Sequence, residues 1–370
     1  MNVFLDAHVF DEAGQGSKTY LKGVFTEAIQ HRKDINFVLA ACDSKGLKTE
    51  FGSHPNSRYE KYASHNKYYR LALDITAKIR RNKIDVAHFT YISPLFKTCR
   101  EILALHDLLF LDMPHYFPAS YRLTKNYLFK RSAQRAEWVT TLSEYSKETI
   151  IRYYGISDEK IIITPCGILD LYWAENTDDA GIKEKYKVKD YVLYVSRIEP
   201  RKNHIALLRA YVELALWKKD IQLVFIGTHA IHVNEFSSFY EALDEKVKGK
   251  ILFLQNLSSE EVRAFYKNSL LSVYPSLGEG FGIPPLEAAV CGSQVLCSNT
   301  TAMREFTFFG DMHFNPNNLS ELKEKMTHYI ARPLAADARS KIRDIIKKNY
   351  SWKASSETLF NKVSSPLSRM

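Results

Sequence analysis

The sequence predicts an α/β protein of two domains, each built around a parallel β-sheet. Apolar strands alternate with helices in two series, one beginning at Asn2–Asp6 and the other at Tyr191–Val195. The strand at Asn36–Ala41 is a continuous apolar run, which is typical of a strand buried on both faces of a parallel sheet. A chain of 370 residues is long enough for two domains of ordinary size.

A polar stretch separates the two series. Residues 171–189 are acidic and then basic, and their apolar residues show little periodicity. We therefore place an interdomain linker at residues 173–189, between a first domain of residues 1–172 and a second domain of residues 190–350. A last helix is predicted from Ser351-Trp352 onward.

The composition is that of a globular protein with sizeable cores, because 45% of the residues are hydrophobic and 13% are aromatic. The sequence has no run of eighteen apolar residues, so a membrane-spanning helix is not expected. The N-terminus lacks a basic leader and predicts a first strand instead of a signal peptide. Five scattered cysteines without metal-ligand spacing favour a reducing, cytoplasmic setting.

The formal net charge is +9, which suits nucleic acid, an anionic membrane face or a phosphorylated substrate. No nucleic-acid-binding motif is recognisable, so a nucleic-acid partner is not expected. The sequence also has no Asp-x-Asp pair that could hold a metal ion against a diphosphate. We therefore predict no metal site, and we assign the neutralisation of a diphosphate to backbone amides and cationic side chains.

The richest pattern in the chain is a strand–loop–helix–strand unit at residues 272–299. A short apolar strand ends at Tyr274, a glycine-spaced loop follows at Gly278–Gly282, and Pro284-Pro285 suit the first turn of a helix. Gly292 is placed to end that helix. The loop delivers backbone N–H groups to a helix N-terminus, and such a site favours an anion, most often phosphate.

Two carboxylates frame this loop, Glu279 before it and Glu287 in the predicted first turn of the helix. A phosphate would repel both, whereas the hydroxyl groups of a sugar could donate hydrogen bonds to them. Phosphate on the amides and sugars on the carboxylates together describe a nucleotide-sugar. The alternative is that Glu287 complements the helix dipole and that Glu279 is solvated.

Two cations follow the first strand of the second series, at its carboxyl end. Arg197 comes directly after this strand, and Lys202 lies on the following turn. Fixed positive charge there would stabilise a diphosphate both in a bound substrate and as a leaving group. The alternative is a solvated basic turn made of Arg197, Arg201 and Lys202.

The first half of the chain offers two weaker signals. A Gly14-Gln15-Gly16 turn follows the first strand and opens a helix, but the rest of a dinucleotide fingerprint is missing. A strand at Ile102–Leu105 ends at His106, where ligands of parallel sheets gather. The alternative for His106 is a purely structural role.

Residues 119–137 mix aromatic side chains with five basic ones at helical spacing. Ordinary amphipathic packing against the protein core is the default interpretation. A peripheral contact with an anionic membrane leaflet remains open as the alternative.

The segment Glu279-Gly-Phe-Gly-Ile-Pro-Pro-Leu-Glu287 resembles the E-x7-E signature of the family-4 retaining glycosyltransferases. The resemblance implies the GT-B fold, with two Rossmann-like domains facing across a cleft and a C-terminal helix, residues 351–370, crossing back to the first domain. It implies diphosphate contacts from Arg197, Lys202, Gly16, Gly280, Phe281, Gly282 and Ile283. It also implies that Glu287 binds the ribose, that Glu279 and His106 are catalytic residues at the hexose, and that Asn256 and Leu257 lie near the nucleobase.

The implied reaction transfers a hexose from a nucleotide-sugar to a hydroxyl of a glycan or lipid-linked glycan acceptor, with retention at the anomeric carbon. Overall similarity to bacterial mannosyltransferases of surface-polysaccharide assembly favours mannose from GDP-mannose, with UDP-hexoses close behind. The enzyme is expected to need neither metal nor cofactor and to be cytoplasmic, with the inner face of the cell membrane as an alternative. Two other functions stay open: a different GT-B activity, namely a glycoside phosphorylase or a sugar-nucleotide epimerase, or a non-catalytic partner subunit that binds nucleotide-sugars or membranes.

Overall fold

The structure is a computed structural model that describes residues 1–11, 16–174, 181–228, 231 and 233–365. The chain divides into two compact units. The first unit comprises residues 1–167 and 350–370, and the second unit comprises residues 168–349.

The first unit is built on a seven-stranded parallel sheet. Its strands are β1 (Asn2–Asp6), β2 (Asn36–Ala41), β3 (Ser57–Lys61), β4 (Val86–Thr90), β5 (Arg100–Ala104), β6 (Trp138–Thr141) and β7 (Ile161–Ile163). The strand order is β3-β2-β1-β4-β5-β6-β7, so the direction of the chain across the sheet reverses between β1 and β4. This doubly wound order is Rossmann-like, and helical crossovers join its parallel strands.

Helices connect these strands. They are α1 (Gly16–His31), α2 (Ser44–Phe51), α3 (Lys67–Tyr69), a π-helical turn (Arg70–Asp74), α4 (Ile75–Arg81), α5 (Leu109–Asp112), α6 (Ala119–Arg135) and α7 (Glu144–Tyr154). Short 3-10 turns lie at His8–Asp11, Pro114–Tyr116 and Asp158–Lys160. Ser143 caps the N-terminus of α7, because its hydroxyl accepts a hydrogen bond from the Ser146 amide at 3.1 Å.

The C-terminal helix (Trp352–Ser364) packs on the first unit, as the resemblance implies. Its first residue, Trp352, lies so close to α1 that a Cβ atom on Gly23 would fall 2.2 Å from the indole ring. The Phe360 ring meets Phe25 edge-on, with 5.5 Å between the ring centroids. Absence of a side chain at Gly23 therefore lets the end of the chain close the core of the first unit.

The second unit is built on a six-stranded parallel sheet. Its strands are β8 (Asp190–Val195), β9 (Ile221–Ile226), β10 (Ile251–Leu254), β11 (Leu271–Tyr274), β12 (Val295–Ser298) and β13 (His313–Phe314). The strand order is β10-β9-β8-β11-β12-β13, so the direction across this sheet reverses between β8 and β11. The register is fixed there by the pairs Leu271 with Val192 and Ser272 with Leu193.

The helices of the second unit are α8 (Asp170–Trp173), α9 (Gly181–Tyr186), α10 (His204–Glu213), α11 (Asn234–Glu241), α12 (Glu245–Lys248), α13 (Ser259–Asn268), α14 (Ile283–Val290), α15 (Leu319–Ala331) and α16 (Ala336–Asn349). Short 3-10 turns lie at Pro200–Lys202, Leu216–Lys219, Thr301–Glu305 and Thr307–Met312. Part of the predicted linker is thus the helix α9, which belongs to the second unit, while residues 175–180 lie outside the described ones. Across the described residues, no helix is both long and apolar enough to span a membrane.

Candidate active site

The second sheet places two loops side by side at its point of reversal. β8 and β11 are neighbours in the sheet, and both run in the same direction. The turn after β8 carries Arg197 and the 3-10 turn Pro200–Lys202, and the loop after β11 carries Glu279 and the glycines. In open parallel sheets, ligands bind outside the carboxyl ends of the strands at such a reversal. The two predicted motifs therefore meet where this fold binds ligands.

The two loops are joined by what we call the ion cluster: Glu199, Arg201, Lys202 and Glu279. The Lys202 amine and the Arg201 guanidinium both donate to the Glu279 carboxylate, Arg201 at 3.1 Å. Arg201 also lies 2.6 Å from the Glu199 carboxylate and donates to the carbonyl of Gly278 at 2.8 Å. The four side chains are between 11% and 15% exposed, so two carboxylates and two cations balance each other largely out of water.

The ion cluster shifts the titration of its members. Burial acts to raise the pKa of Glu279, but the charges of Lys202 and Arg201 outweigh it and lower this pKa from 4.5 to about 2. Burial also lowers the pKa of the Lys202 amine, while the charge of Glu279 opposes that change. Glu279 is therefore ionised at neutral pH.

Arg197 lies apart from this balance. Its side chain is 58% exposed, and its guanidinium is 4.0 Å from the Glu199 carboxylate. The solvated-turn alternative thus fits Arg197, but it does not fit Arg201 and Lys202, which are largely shielded from solvent and paired. Sequence reasoning assigned a diphosphate role to Lys202 and passed over Arg201, which the structure places at the centre of the ion cluster.

Residues 301–306 pack against the glycine-spaced loop and fix its position. The Glu279 amide donates to the Thr301 hydroxyl at 2.9 Å, and the Phe281 ring is buried edge-on against Phe306, with 5.8 Å between the centroids. Gly282 has a φ of +103°, and a Cβ atom there would approach Met303 to 2.9 Å. Only glycine suits this backbone and this space. The result is an abrupt entry into α14, where the N–H groups of Gly282 and Ile283 have no partner inside the helix and Pro284 and Pro285 have no N–H group.

The sequence prediction for Glu287 needs a correction. α14 begins at Ile283, so Glu287 is its fifth residue and does not lie in the first turn, where the helix dipole acts. Its half-buried carboxylate accepts a hydrogen bond from the Tyr266 hydroxyl at 3.3 Å. Burial raises the pKa of Glu287 from 4.5 to about 7, against the hydrogen bond from Tyr266, which lowers it. The dipole alternative therefore does not explain this residue, and an ionisable acceptor stands one helical turn beyond the loop.

Asn256 and Leu257 follow β10 at the same edge of the second sheet. Asn256 has a φ of +56°, a left-handed conformation that asparagine adopts more readily than most residues. Ser258, the residue after Leu257, forms a capping box with Glu261: the Ser258 amide donates to the Glu261 carboxylate at 2.8 Å, and the Glu261 amide donates to the Ser258 hydroxyl at 3.2 Å. Their predicted proximity to a nucleobase stays a prediction.

The remaining predicted residues belong to the first unit. His106 lies two residues beyond β5, is 5% exposed, and has its Nδ1 atom 3.5 Å from the Ser17 hydroxyl. Burial lowers the pKa of His106 to about 4, so the imidazole is neutral at pH 7. Gly16 is the exposed first residue of α1, and Gly14 and Gln15 lie outside the described residues. The roles of Gly16 and His106 stay predictions.

No group of three His, Cys, Asp or Glu side chains within the described ranges is arranged to share a metal ion. The cationic side chains at the site are Lys202, Arg201 and the exposed Arg197.

Two family descriptions together cover most of the chain. Residues 27–169 match the model described as Glycosyltransferase Family 4, and residues 175–350 match the model described as Glycosyl transferases group 1. The chain belongs to the family-4, group 1 glycosyltransferases. The identification made from the E-x7-E segment is confirmed.

Two relatives of this glycosyltransferase are bacterial O-antigen mannosyltransferases. The O-antigen chain mannosyltransferase RfbU of Salmonella typhimurium is 27% identical over 71% of this chain and 73% of its own length. The O-antigen chain mannosyltransferase B of Escherichia coli is 26% identical over 72% of each chain. Among solved structures, HepE from Anabaena, crystallised with UDP and glucose, superposes with a TM-score of 0.72 at 17% identity, covering 99% of each chain. This glycosyltransferase therefore has the predicted GT-B class of fold, with two Rossmann-like units.

Proposed function

We propose that this glycosyltransferase transfers mannose from GDP-mannose to a hydroxyl of a glycan or lipid-linked glycan, with retention at the anomeric carbon. One observation supports it above the others: a balanced ion cluster and a glycine loop opening a helix meet at the reversal point of one sheet. The choice of mannose draws on the names of the Salmonella and Escherichia relatives, and that of a nucleotide donor on the UDP bound to HepE.

The diphosphate is assigned to the cations and the helix entry. Lys202 pairs with Glu279, and an incoming diphosphate supplies a second anion for the same amine. The exposed Arg197 and the amides at Gly280–Ile283 complete the contacts. Positive charge fixed there stabilises the negative charge that develops on the leaving phosphate. Such electrostatic stabilisation is usually the largest single contribution to catalysis. In this proposal, side chains and backbone amides of the protein neutralise the leaving group, and no metal ion has that role.

The two carboxylates are assigned to the two sugars. Glu287 accepts hydrogen bonds from the ribose hydroxyls, and Glu279 orients the hexose and stabilises positive charge that develops at its ring. In a front-face reaction, the bond from the anomeric carbon to the diphosphate oxygen breaks while a bond to the acceptor oxygen forms on the same face. The acceptor proton then passes to the leaving diphosphate, so no separate general base is required. The contact of His106 with the hexose stays a prediction from the family resemblance.

The proposed donor is tested by incubating the enzyme with a panel of nucleotide-sugars without acceptor and measuring released nucleotide. GDP-mannose is expected to be hydrolysed fastest. Faster release from a UDP-hexose would overturn the choice of donor. Turnover that requires inorganic phosphate and no nucleotide-sugar would indicate a phosphorylase, and donor binding without turnover in acceptor mixtures would indicate a binding subunit.

A pH dependence follows from the role of Glu287. Only the ionised carboxylate accepts hydrogen bonds from both ribose hydroxyls, so donor binding should strengthen as the pH rises through about 7, the pKa of Glu287. If the protonated form does not bind, the KM for GDP-mannose should be about tenfold higher at pH 6 than at pH 8. The diphosphate of a nucleotide-sugar is a diester and does not titrate in this range.

The matched variant is Glu287→Gln, which cannot ionise. It should raise the KM at pH 8 and show a much flatter pH profile between pH 6 and pH 8. A wild-type KM that is constant over this range, together with normal donor turnover, would contradict the assignment of Glu287 to the ribose.

One surface of the first unit is a candidate for contact with the membrane in which a lipid-linked acceptor resides. We define the aromatic–basic surface as α6 with the exposed side chains of residues 67–73 and 95–97. Its most exposed apolar side chains are Tyr68, Leu73, Leu95, Phe96, Leu123 and Tyr127, each between 55% and 74% exposed. The Arg131 guanidinium donates to the Leu95 carbonyl at 2.9 Å, and the Leu95 amide donates to the Leu71 carbonyl at 3.1 Å, so the three segments adjoin.

The charged side chains of the aromatic–basic surface are all basic. Residues 119–135 contain five Lys or Arg residues and no Asp or Glu. Exposed aromatic and aliphatic side chains beside basic ones suit the boundary of an anionic bilayer, where lipid-linked acceptors reside. The proposal therefore includes a peripheral contact between this surface and the cytoplasmic leaflet.

The membrane contact is tested by sedimentation with vesicles. The enzyme is expected to bind vesicles containing phosphatidylglycerol, to bind phosphatidylcholine vesicles weakly, and to dissociate as NaCl is raised. The double variant Leu123→Ser, Tyr127→Ser should weaken binding by about tenfold or more, since both side chains would lose apolar contact. Ile345→Ser, at an exposed apolar residue of the second unit, is the control. Equal binding by all three proteins would refute the contact.

A further inference from the structure

Arg201 bridges the two carboxylates of the ion cluster. Its Nη1 atom donates to Glu279 and to the Gly278 carbonyl, at 3.1 Å and 2.8 Å, and its Nη2 atom lies 2.6 Å from Glu199. Its own carbonyl accepts a hydrogen bond from the Leu277 amide at 2.8 Å. Side chain and backbone of Arg201 therefore both fasten the turn after β8 to the loop after β11.

Lys202 and Arg201 share one carboxylate but are held differently. The Lys202 amine is a single point charge that pairs with Glu279, whereas the planar guanidinium of Arg201 contacts three acceptors in a fixed fork. A diphosphate that draws Lys202 away would leave Glu279 with Arg201 as its remaining cation. A carboxylate that is 13% exposed could not stay ionised and ordered there without that partner.

We propose, on the basis of the function proposed above, that Arg201 is a positioning residue: it keeps Glu279 ionised and oriented toward the hexose when Lys202 turns to the diphosphate. Arg201 then acts on the reaction only through Glu279 and does not touch the donor. The exchange of partners at Lys202 couples donor binding to the availability of Glu279 for the hexose. Glu199 anchors the other side of the guanidinium and keeps it from following the diphosphate.

The test is a double-mutant cycle on acceptor-free hydrolysis of GDP-mannose, or of the donor that the panel identifies. Arg201→Gln is expected to lower kcat by about 30- to 100-fold and to change KM by less than about threefold, because the lost interaction serves the transition state. In a Glu279→Gln background, the same Arg201→Gln substitution should change kcat by less than about threefold, since residues that act through one another are not additive. A merely structural role would give the same loss in both backgrounds and would overturn the proposal.

Two further variants keep the test decisive. Arg201→Lys retains a charge beside Glu279 but lacks the fork, and its kcat should lie between those of the wild type and Arg201→Gln. If Arg201→Gln does not fold, Arg201→Lys replaces it in the double-mutant cycle. A kcat of Arg201→Lys equal to that of the wild type would refute the need for the guanidinium fork. Arg209→Gln, at an Arg on α10 that is 42% exposed and paired with Glu235, is the control and should behave as wild type.

Failure of this inference is distinguishable from failure of the proposed function. A wild-type enzyme that neither binds GDP in calorimetry nor hydrolyses any nucleotide-sugar would refute the function and the inference together. A wild-type enzyme that is active, with additive effects in the cycle, would refute only the role of Arg201.

Discussion

Glu279→Gln is expected to lower the turnover of the donor by about 10²- to 10³-fold, the range seen when one electrostatic partner of a transition state is removed. The variant keeps the shape of the side chain and its contact with Ser276, but it removes the charge that we assign to the hexose. GDP affinity should be unchanged or higher, because Lys202 then loses the carboxylate that competes with the diphosphate. The measurements are acceptor-free hydrolysis for kcat and calorimetric titration with GDP for affinity.

The control for Glu279→Gln is Glu235→Gln, which changes an exposed glutamate of the same unit. Its turnover and GDP affinity should equal those of the wild type. Thermal melting of each variant shows whether the site is still folded, since two buried cations lose a partner in Glu279→Gln. Full turnover by Glu279→Gln, or loss of GDP binding in parallel with loss of turnover, would contradict the assignment of Glu279 to the hexose.

The parallel sheets were predictable because their strands are buried on both faces. β1 and β2 have the predicted bounds, and the predicted strands at Ile102–Leu105 and Tyr191–Val195 differ from β5 and β8 by no more than two residues at either end. Helix starts with a side-chain cap were equally visible, as Ser143 and Ser258 show. In these segments the local pattern and the tertiary environment agree, and the sequence alone therefore suffices.

The elements that sequence reasoning missed lie where burial is partial. β3 reads Ser-Arg-Tyr-Glu-Lys and is an edge strand with no fully buried residue, so its pattern resembles a loop. β13 has two residues and owes its assignment to pairing with β12. α16 was also missed, although Ile342 and Ile346 are buried four residues apart on its inner face, a spacing that could have revealed it.

The ion cluster shows why the site was only partly predictable. Lys202 and Glu279 are 77 residues apart in the chain and meet because β8 and β11 are neighbours. Each motif was recognisable by itself, but strand order is a tertiary property that no local pattern contains. The difference between the exposed Arg197 and the buried Arg201 was invisible for the same reason.

Glu287 illustrates a smaller error of the same origin. The sequence places two prolines early in α14, and the helix was therefore expected to hold Glu287 in its first turn. The observed start at Ile283, set by the left-handed Gly282, moves Glu287 one turn further and beside Tyr266. Glu287 therefore does not complement the helix dipole. Burial instead raises the pKa of its carboxyl group.

Lys202→Met is expected to weaken GDP binding by about 10²-fold, because removal of one partner of a desolvated charge pair has effects of this size. The methionine keeps the length and the packing of the aliphatic stem but cannot pair with a diphosphate. Glu279 retains Arg201, so the variant should still fold. The measurement is calorimetric titration with GDP at fixed ionic strength, together with the KM for the donor.

The matched comparison is Arg197→Met, which removes the exposed cation of the same turn. Its side chain is 58% exposed, and solvent screens its charge, so GDP affinity should fall by only about three- to tenfold. A larger loss at Arg197 than at Lys202 would mean that the diphosphate binds at the exposed rim of the turn and leaves the Lys202–Glu279 pair intact. In that case Lys202 would serve only to hold Glu279, and the exchange of partners at this amine would not occur.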